Sequence, residues 1–278
     1  MYKALPTLSP TAAKNFTKCP LAFRLQKIDK ILFPPSPEAL KGILTHKVLE
    51  KVFQLEPNKR HLDRALSIVE TTWQEIVKHD ISKGRKQDLE NIVLPDNFYN
   101  DVKKFINNYF TMENPEKVLA EKQELWVSFN SQDVRFLGQI DRIDKSPDGK
   151  IRIVDYKTGN SPNPQFLDEV IFQLHFYSFL WQKNYHNLPD NLTLYYLKDG
   201  KAVQTQPSNN DINQLVKQIN TIWQNIKLTA ETNRWLPKKN KLCNWCEYQK
   251  DYCPLFGGTE PTLDPEAVKL AIGVKPNV

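Results

Sequence analysis

A chain of 278 residues, of which 40% are hydrophobic and 25% are charged, is long enough to bury a sizeable core as one elaborated domain. It has no run of eighteen apolar residues and no secretory signal, so we expect a cytoplasmic protein with no membrane-spanning segment. The net charge of +6 and the isoelectric point near 8.9 suit a polyanionic partner, although many proteins reach such values without one.

The first half of the chain is predicted to be helical. A short helix begins after Leu8-Ser9-Pro10-Thr11 and ends near Lys18. Longer helical patterns follow at about 37–54, 61–79 and 96–110. The stretch from Ser82 to Asp88 is polar throughout and is predicted to be a flexible loop.

The second half alternates strands with helices. Strands are predicted at about 118–130, 134–144, 150–157, 192–197 and 202–206, and helices at about 165–183 and 210–227. This order predicts an α/β protein with a mixed central β-sheet flanked by helices. We expect a single domain over residues 1–255 and a loosely packed, proline-containing tail over residues 256–278.

The run Ile153-Val154-Asp155-Tyr156-Lys157-Thr158-Gly159 is an apolar strand that brings an acid and a lysine two residues apart. Because side chains alternate along a strand, Asp155 and Lys157 project from the same face. A carboxylate can hold a hard divalent cation, and an ammonium can orient or deprotonate a water or neutralise phosphate charge. Taken alone, the run is equally compatible with an ion pair at a strand end.

The run Gly138-Gln139-Ile140-Asp141-Arg142-Ile143-Asp144 predicts the preceding strand, and the turn Ser146-Pro147-Asp148-Gly149 predicts a β-hairpin between the two. Antiparallel neighbours of this kind can place Asp141 beside Asp155. Two nearby carboxylates repel each other unless a cation lies between them, so the pair is a candidate metal site.

Two further motifs lie on predicted helices. Gln173 and Tyr177 are spaced i and i+4 on the helix after the hairpin, so they share one face. His46 lies on the helix that follows Ser36-Pro37. A single histidine on an apolar helix is more often a core or surface residue than a ligand, so His46 depends on the wider pattern.

Together these motifs resemble the RecB-type branch of the PD-(D/E)XK nuclease superfamily. The matching pieces span roughly residues 7–255 and are Gly42-x3-His46-x3-Glu50, Gly138-x2-Asp141-Arg142-Ile143-Asp144, Asp155-Tyr156-Lys157-Thr158-Gly159 and Gln173-x3-Tyr177. The resemblance implies a restriction-endonuclease-like core and a divalent cation, Mg²⁺ or Mn²⁺, as the bound cofactor.

The resemblance also implies a role for each matching residue. His46, Asp141 and Asp155 would be metal ligands, with the Tyr156 carbonyl close to the metal. Lys157 would be the catalytic lysine. The catalytic set would be completed by two residues that position the DNA or the lysine, Gln173 and Tyr177.

The four cysteines form a second pattern. Cys243, Cys246 and Cys253 cluster near the C-terminus, and Cys19 lies alone near the N-terminus. Clustered thiols with C-x2-C spacing favour a metal site, and zinc is the general expectation for four thiolates. One cysteine before the nuclease motifs and three after them resembles the iron–sulfur staple of AddB-type and CRISPR-associated RecB-like nucleases. That resemblance implies a 4Fe-4S cluster joining the N- and C-terminal segments, with zinc as the alternative.

A basic segment precedes the cysteine cluster, and its candidate nucleic-acid-binding residues are Arg234, Trp235, Lys238, Lys239 and Lys241. Cations beside an aromatic ring can neutralise phosphates and stack a base. A solvated loop with a buried tryptophan is an equally good interpretation.

The resemblance implies a metal-dependent DNA nuclease, with exonuclease action on single-stranded ends in DNA repair or recombination as the main expectation. Two alternatives remain: a CRISPR-adaptation nuclease that trims spacer precursors with other adaptation proteins, and a non-catalytic DNA-binding subunit. Intact Asp141, Asp155 and Lys157 argue against the non-catalytic subunit. Since no G-x4-G-K-[ST] phosphate loop occurs, any helicase would be a separate protein.

Overall fold

A mixed six-stranded sheet lies at the centre of the chain, for which a computed structural model describes residues 5–82, 89, 92–163 and 167–274. Its strands are β1 (Thr7–Leu8), β2 (Ala120–Asn130), β3 (Arg135–Lys145), β4 (Ile151–Lys157), β5 (Asn191–Tyr196) and β6 (Lys201–Thr205). β3 pairs antiparallel with β2 along one edge, while β1 and β4 pair with the start and the end of its other edge. β4 continues in parallel to β5, which pairs antiparallel with β6.

Helices cover both faces of this sheet, which confirms the predicted mixed α/β architecture. The described α-helices are α1 (Pro10–Lys18), α2 (Pro20–Lys27), α3 (Pro37–Phe53), α4 (Leu62–Ser67), α5 (Val69–Ser82), α6 (Phe98–Met112), α7 (Leu167–Tyr185), α8 (Asn209–Thr232) and α9 (Pro265–Ile272). α7 connects the parallel strands β4 and β5, as a parallel pair requires. The polar loop predicted to start at Ser82 falls at residues 83–88, outside the described residues.

Two buried layers hold the helices on the sheet. On one face, apolar residues of β3, β4 and β5 pack against α1, α7 and α8. On the other face, Val154 and Tyr156 of β4 pack with Leu49 and Phe53 of α3 and with α6. Because β4 alternates between these layers, Asp155 projects toward α7, whereas Tyr156 projects toward α3.

Local capping fixes where two of the helices begin. The Ser9 hydroxyl accepts from the Ala12 N–H at 3.2 Å, and the Ser36 hydroxyl accepts from the Ala39 N–H at 3.2 Å. Each serine precedes a proline at the first helical position, where no backbone donor is needed. The second cap starts α3 and thereby sets the position of His46 along it.

Two glycines allow helices to approach the strands that carry the sequence motifs. A Cβ atom at Gly138 of β3 would come within 3.0 Å of the Tyr177 ring on α7. A Cβ atom at Gly42 of α3 would lie 3.1 Å from the Thr158 hydroxyl, just past β4. Larger residues would push α7 and α3 away from the strands, so these motif glycines are explained by packing.

The segment after Cys253 differs from the loosely packed tail that its composition predicts. It contains α9, whose Val268 and Ile272 are buried in the main core. The Arg24 guanidinium of α2 also pairs with Glu260 at 2.8 Å and is 3% exposed. The prolines and glycines of this segment predict a loop. Its short amphipathic helix nevertheless has enough apolar residues to pack against the core. None of the helices in the described ranges is long and apolar enough to cross a membrane.

Candidate active site

The candidate site lies where β3 and β4 separate. The pairing of β3 with β4 ends at Arg142 and Val154. Beyond this point, side chains of the two strands can approach each other. There Oδ2 of Asp141 accepts a hydrogen bond from the Tyr156 N–H at 2.7 Å. This contact fixes the Asp141 carboxylate against β4, as the predicted hairpin requires.

His46 reaches the same point from α3. Its Nε2–H donates to the Tyr156 carbonyl at 3.0 Å, and its Nδ1 lies 3.5 Å from Oδ2 of Asp141. Histidine ligands commonly donate one ring N–H to a carbonyl while the other nitrogen faces the metal. The Tyr156 carbonyl, expected close to the metal, therefore orients the imidazole in this structure.

The charges in this group are strongly coupled. Burial alone would lower the pKa of His46, but the neighbouring carboxylates, led by that of Asp141, raise the pKa to about 9. Burial would likewise raise the pKa of Asp141, yet the imidazolium and the Tyr156 N–H hold it below its ordinary value. A positive charge is thus stabilised between these side chains.

Glu124 of β2 is a member of this group that the sequence motifs did not indicate. One ligand atom from each of His46, Glu124 and Asp141 lies within 4.8 Å of the others. The residues before and after Glu124 pair with β3 in a register that puts Glu124 opposite Asp141. Burial and the like charge of Asp141 raise the pKa of Glu124 to about 7.

Asp155 and Lys157 lie beside this group on the α7 side of β4. Asp155 is 2% exposed, and Nζ of Lys157 lies 2.7 Å from its Oδ2. The Lys157 ammonium therefore compensates the charge of this buried carboxylate. Burial would lower the pKa of Lys157, but the Asp155 carboxylate outweighs it and raises the pKa, so the side chain is an ammonium.

Gln173 and Tyr177 face the site from α7, as their spacing predicts. Nε2 of Gln173 donates to Oδ1 of Asp155 at 3.0 Å and to the Tyr177 hydroxyl at 2.8 Å. Tyr177 is 5% exposed and packs on Gly138. The pair therefore holds the carboxylate of Asp155 and also belongs to the core.

A fully buried arginine lies beneath the site. Arg142 donates from Nε and Nη2 to the Asp144 carboxylate at 2.8 and 3.0 Å, and from Nη2 to Glu113 at 2.7 Å. Its Nη1 donates to the hydroxyls of Tyr109 and Tyr156. This network holds the Tyr156 side chain in place. It thereby also helps to position Asp155 and Lys157, which precede and follow Tyr156 in β4.

The donor set fits a divalent cation. Carboxylate oxygens and one imidazole nitrogen are suitable ligands for Mg²⁺ or Mn²⁺. The structure supports this fit, because one ligand atom from each of His46, Glu124 and Asp141 lies within 4.8 Å of the others. Burial and the like charge of Asp141 also raise the pKa of Glu124. Asp155 lies outside the tightest three-residue group because its carboxylate is turned toward Lys157 and α7.

The four cysteines converge although Cys19 is far from the other three in the sequence. They line one cavity of about 350 Å³. The sulfur of Cys19 lies 3.5 Å from the Lys238 N–H donor, and that of Cys243 lies 3.3 Å from the Asn240 N–H donor. Burial raises the pKa of the Cys246 thiol, and the other thiols add to the effect. The predicted grouping of these residues is thus present.

The basic segment is only partly available to a ligand. Its exposed cations are Arg234, Lys238, Lys239 and Lys241. Trp235, in contrast, is 3% exposed and stacks on Phe23 of α2, with ring centroids 6.2 Å apart. A base cannot stack on a buried ring, so the expectation for Trp235 is corrected: this side chain covers the core.

Comparison with known proteins agrees with this geometry. A sequence model of the PD-(D/E)XK nuclease superfamily matches residues 7–254. The Gene 69 protein of Mycobacterium phage D29 is 26% identical over 180 residues, and the match spans 58% of this chain but only 66% of that protein's length.

A crystal structure described as a "Putative exonuclease" from Eubacterium rectale has a TM-score of 0.52 and covers 89% of each chain at 10% identity. At such identity the likeness is one of fold. The family match, in contrast, spans most of the chain and includes every strand of the sheet. The chain belongs to the PD-(D/E)XK nuclease superfamily.

Proposed function

We propose that the chain is a RecB-type, divalent-metal-dependent deoxyribonuclease that acts as an exonuclease on single-stranded ends in DNA repair or recombination. The observation that carries the proposal is the convergence of His46, Glu124 and Asp141 beside the Asp155–Lys157 pair. A catalytically inactive subunit would not need to keep a buried carboxylate–ammonium pair beside a cation site.

The protein would hold Mg²⁺ or Mn²⁺ through His46, Glu124, Asp141 and Asp155. A bound divalent ion would lower the pKa of a coordinated water and stabilise charge on the phosphate. Tyr156 contributes through its carbonyl, which fixes the imidazole tautomer by accepting from Nε2.

Lys157 supplies positive charge at the reacting phosphate. Its ammonium lies 2.7 Å from the Asp155 carboxylate, where it can orient a water or neutralise phosphate charge. Gln173 keeps Asp155 in place through the hydrogen bond to Oδ1, and Tyr177 in turn fixes the Gln173 amide. These contacts preorganise the acid that lies next to the lysine.

We further propose that the four cysteines hold a 4Fe-4S cluster. All four border one cavity of about 350 Å³, which can take a group larger than a single ion. Backbone N–H groups of Lys238 and Asn240 are directed at two of the sulfurs, and such hydrogen bonds are typical of thiolates that hold a cluster. Zinc is the alternative occupant.

The proposed activity is tested with linear and circular DNA. Protein purified without oxygen is incubated with Mn²⁺ or Mg²⁺ and with end-labelled linear single strands, the matching duplex, or circular single strands. We expect metal-dependent degradation of the linear single strand and little cleavage of the circle, because an exonuclease needs an end. Rapid cleavage of the circle would show that the protein is an endonuclease and not an exonuclease. Intact DNA in all reactions would refute the proposed nuclease activity.

A further inference from the structure

A cleft of about 1010 Å³ opens from the candidate metal site. It lies between α3 and α5 on one side and strands β2 and β3 on the other, and its lining includes His46 and Glu124 of the candidate metal site. Its volume lies at the upper end of the roughly 300–1,000 Å³ that small-ligand sites occupy. The cleft is therefore large enough for more than the single phosphate group that hydrolysis requires.

Trp126 is an aromatic residue that lines this cleft. Its side chain is 61% exposed on β2, which pairs with β3 at the edge of the sheet. It lies two residues after Glu124 on the same face of β2, which corresponds to roughly 7 Å along the strand. Across the strand it faces Gln139, whose amide donates to the Glu124 carboxylate at 2.7 Å. The distance from the metal site to the exposed indole is therefore about the length of one nucleotide.

The cleft is lined by charged side chains of both signs. Glu50 and Lys47 of the α3 wall pair with each other at 2.7 Å, and Glu75 of the α5 wall pairs with Lys51. Carboxylates can accept hydrogen bonds from amino groups on base edges, as acidic side chains do with cytosine N4, and a lysine can contact a phosphate. A single strand presents bases and phosphates together, so it can use both kinds of side chain.

Positive charge is found further along the same face of the sheet. Arg135 of β3 is exposed, and its guanidinium donates to the Ser128 hydroxyl at 3.0 Å. Ser128 lies two residues beyond Trp126 on β2, so the arginine is placed past the indole and away from the metal site. A backbone phosphate leaving the cleft would meet this cation.

We propose that this cleft binds the unpaired end of a DNA strand, and that the Trp126 indole stacks on a base next to the nucleotide being cleaved. The inference rests on the proposed nuclease function and adds the substrate form that this site selects. Bases in a duplex are paired and stacked on each other, so they cannot insert into the cleft. Trp126 accordingly makes the enzyme favour single-stranded ends.

The test measures DNA affinity separately from cleavage. Fluorescence anisotropy with a labelled oligonucleotide in EDTA is recorded for the wild type, Trp126→Ala and Trp126→Phe. We expect Trp126→Ala to weaken single-strand binding by on the order of tenfold to a hundredfold, since that is the usual contribution of one base–aromatic stack. Trp126→Phe should recover most of the affinity, and binding of a blunt duplex should not change.

Tyr185→Ala is the matched control, because Tyr185 is 47% exposed but lies on α7, which covers the opposite face of the sheet. This variant should bind like the wild type. A series of oligonucleotides with one abasic nucleotide locates the stacked base: at one position near the end, the loss caused by Trp126→Ala should vanish. An equal loss at every abasic position, or unchanged binding by Trp126→Ala, would overturn the inference.

The outcomes separate this inference from the nuclease function. If wild-type protein degrades DNA with Mn²⁺ while Trp126→Ala binds and degrades single strands equally well, the stacking inference fails and the nuclease stands. If the wild type degrades no DNA but Trp126→Ala still shows the base-dependent loss of affinity, the nuclease function fails and the cleft remains a single-strand binding site.

Discussion

Glu124 has a left-handed backbone conformation, with φ of 48°, that non-glycine residues adopt at a cost in free energy. The conformation occurs where β2 carries this carboxylate toward His46 and Asp141. Strain at such a position is maintained when the surrounding structure and the function of the side chain require it. We interpret the distortion as the means by which β2 contributes a ligand to the metal site.

Glu124→Gln should therefore weaken Mn²⁺ binding by on the order of tenfold to a hundredfold, because the amide keeps the size of the side chain but loses its charge. The measurement is titration calorimetry of the metal-free protein. Glu121→Gln is the control, since Glu121 is an exposed acid on the same strand. Equal Mn²⁺ affinity of Glu124→Gln and the wild type would remove Glu124 from the ligand set.

Tyr177 belongs to both the site and the core, and the two roles can be separated by removing only its hydroxyl. Tyr177→Phe keeps the ring that packs on Gly138 but frees the Gln173 amide from one of its two hydrogen bonds. We expect the cleavage rate to fall roughly tenfold while the melting temperature changes by no more than about 4 °C. Normal cleavage with a much lower melting temperature would make Tyr177 a core residue alone.

The sequence predicts most of the site because its residues occur in short motifs. Asp155 and Lys157 share a strand, and Gln173 and Tyr177 share a helix face, so local spacing is enough to associate each pair. Glu124 could not be predicted in this way. Its proximity to Asp141 depends on the register between two strands and on a left-handed residue, neither of which a pattern of residue types specifies.

At the scale of secondary-structure elements, the Arg142 network connects α6 to the strands of the site. Glu113, at the end of α6, accepts from Arg142 at 2.7 Å and also pairs with Arg152 of β4. Burial alone would raise the pKa of Glu113, but the two guanidinium groups outweigh it and lower the pKa. The carboxylate therefore stabilises the fold above its unfolded-state pKa, and this contribution is lost as the pH falls through the lower folded-state pKa.

We expect the melting temperature of the wild type to fall more steeply below about pH 4.5 than that of Glu113→Gln. At neutral pH the variant should be less stable by about 3–5 kcal/mol, because it leaves the buried Arg142 without one of its negative partners. Thermal melts between about pH 3 and 7 provide the comparison, with the exposed Asp96→Asn as control. Parallel pH profiles for Glu113→Gln and the wild type would contradict this account.

Element boundaries illustrate what periodicity can and cannot specify. The apolar pattern over 61–79 predicts one helix, whereas the structure has α4 and α5 with a break at Ile68, whose φ and ψ are −96° and −1°. Both helices keep the same buried face, so the pattern continues across the break. α2 was also not predicted, because it follows α1 directly at Cys19 and has only eight residues.

At the scale of the whole molecule, the two chain ends are joined by protein contacts as well as by the proposed cluster. Arg24 donates to the Pro261 carbonyl at 2.6 Å, and the Tyr248 hydroxyl donates to the Ile31 carbonyl at 2.9 Å. Trp235 also packs on α2. The resemblance to nucleases with an iron–sulfur staple implies that the four cysteines meet, but these other pairings between distant segments depend on the complete fold.

The cluster is tested by colour and iron content. Protein purified without oxygen should be brown and contain about four irons per chain, since thiolate-bound iron absorbs visible light and zinc does not. Cys19→Ser should lose iron as completely as Cys246→Ser, and both should become more sensitive to protease near residues 1–30 and 235–278. Colour retained by Cys19→Ser would exclude Cys19 as a ligand, and a colourless wild type with one zinc would overturn the cluster.

The central claim is that the acids bind the metal and that Lys157 serves the chemistry. The most direct measurement is single-turnover cleavage of an end-labelled single strand, with Mn²⁺ affinity determined on the same samples of wild type, Asp155→Ala and Lys157→Ala. We predict that both variants lose at least about a hundredfold in cleavage rate, that Asp155→Ala also loses Mn²⁺ affinity, and that Lys157→Ala keeps it. Wild-type cleavage by either variant would contradict the account.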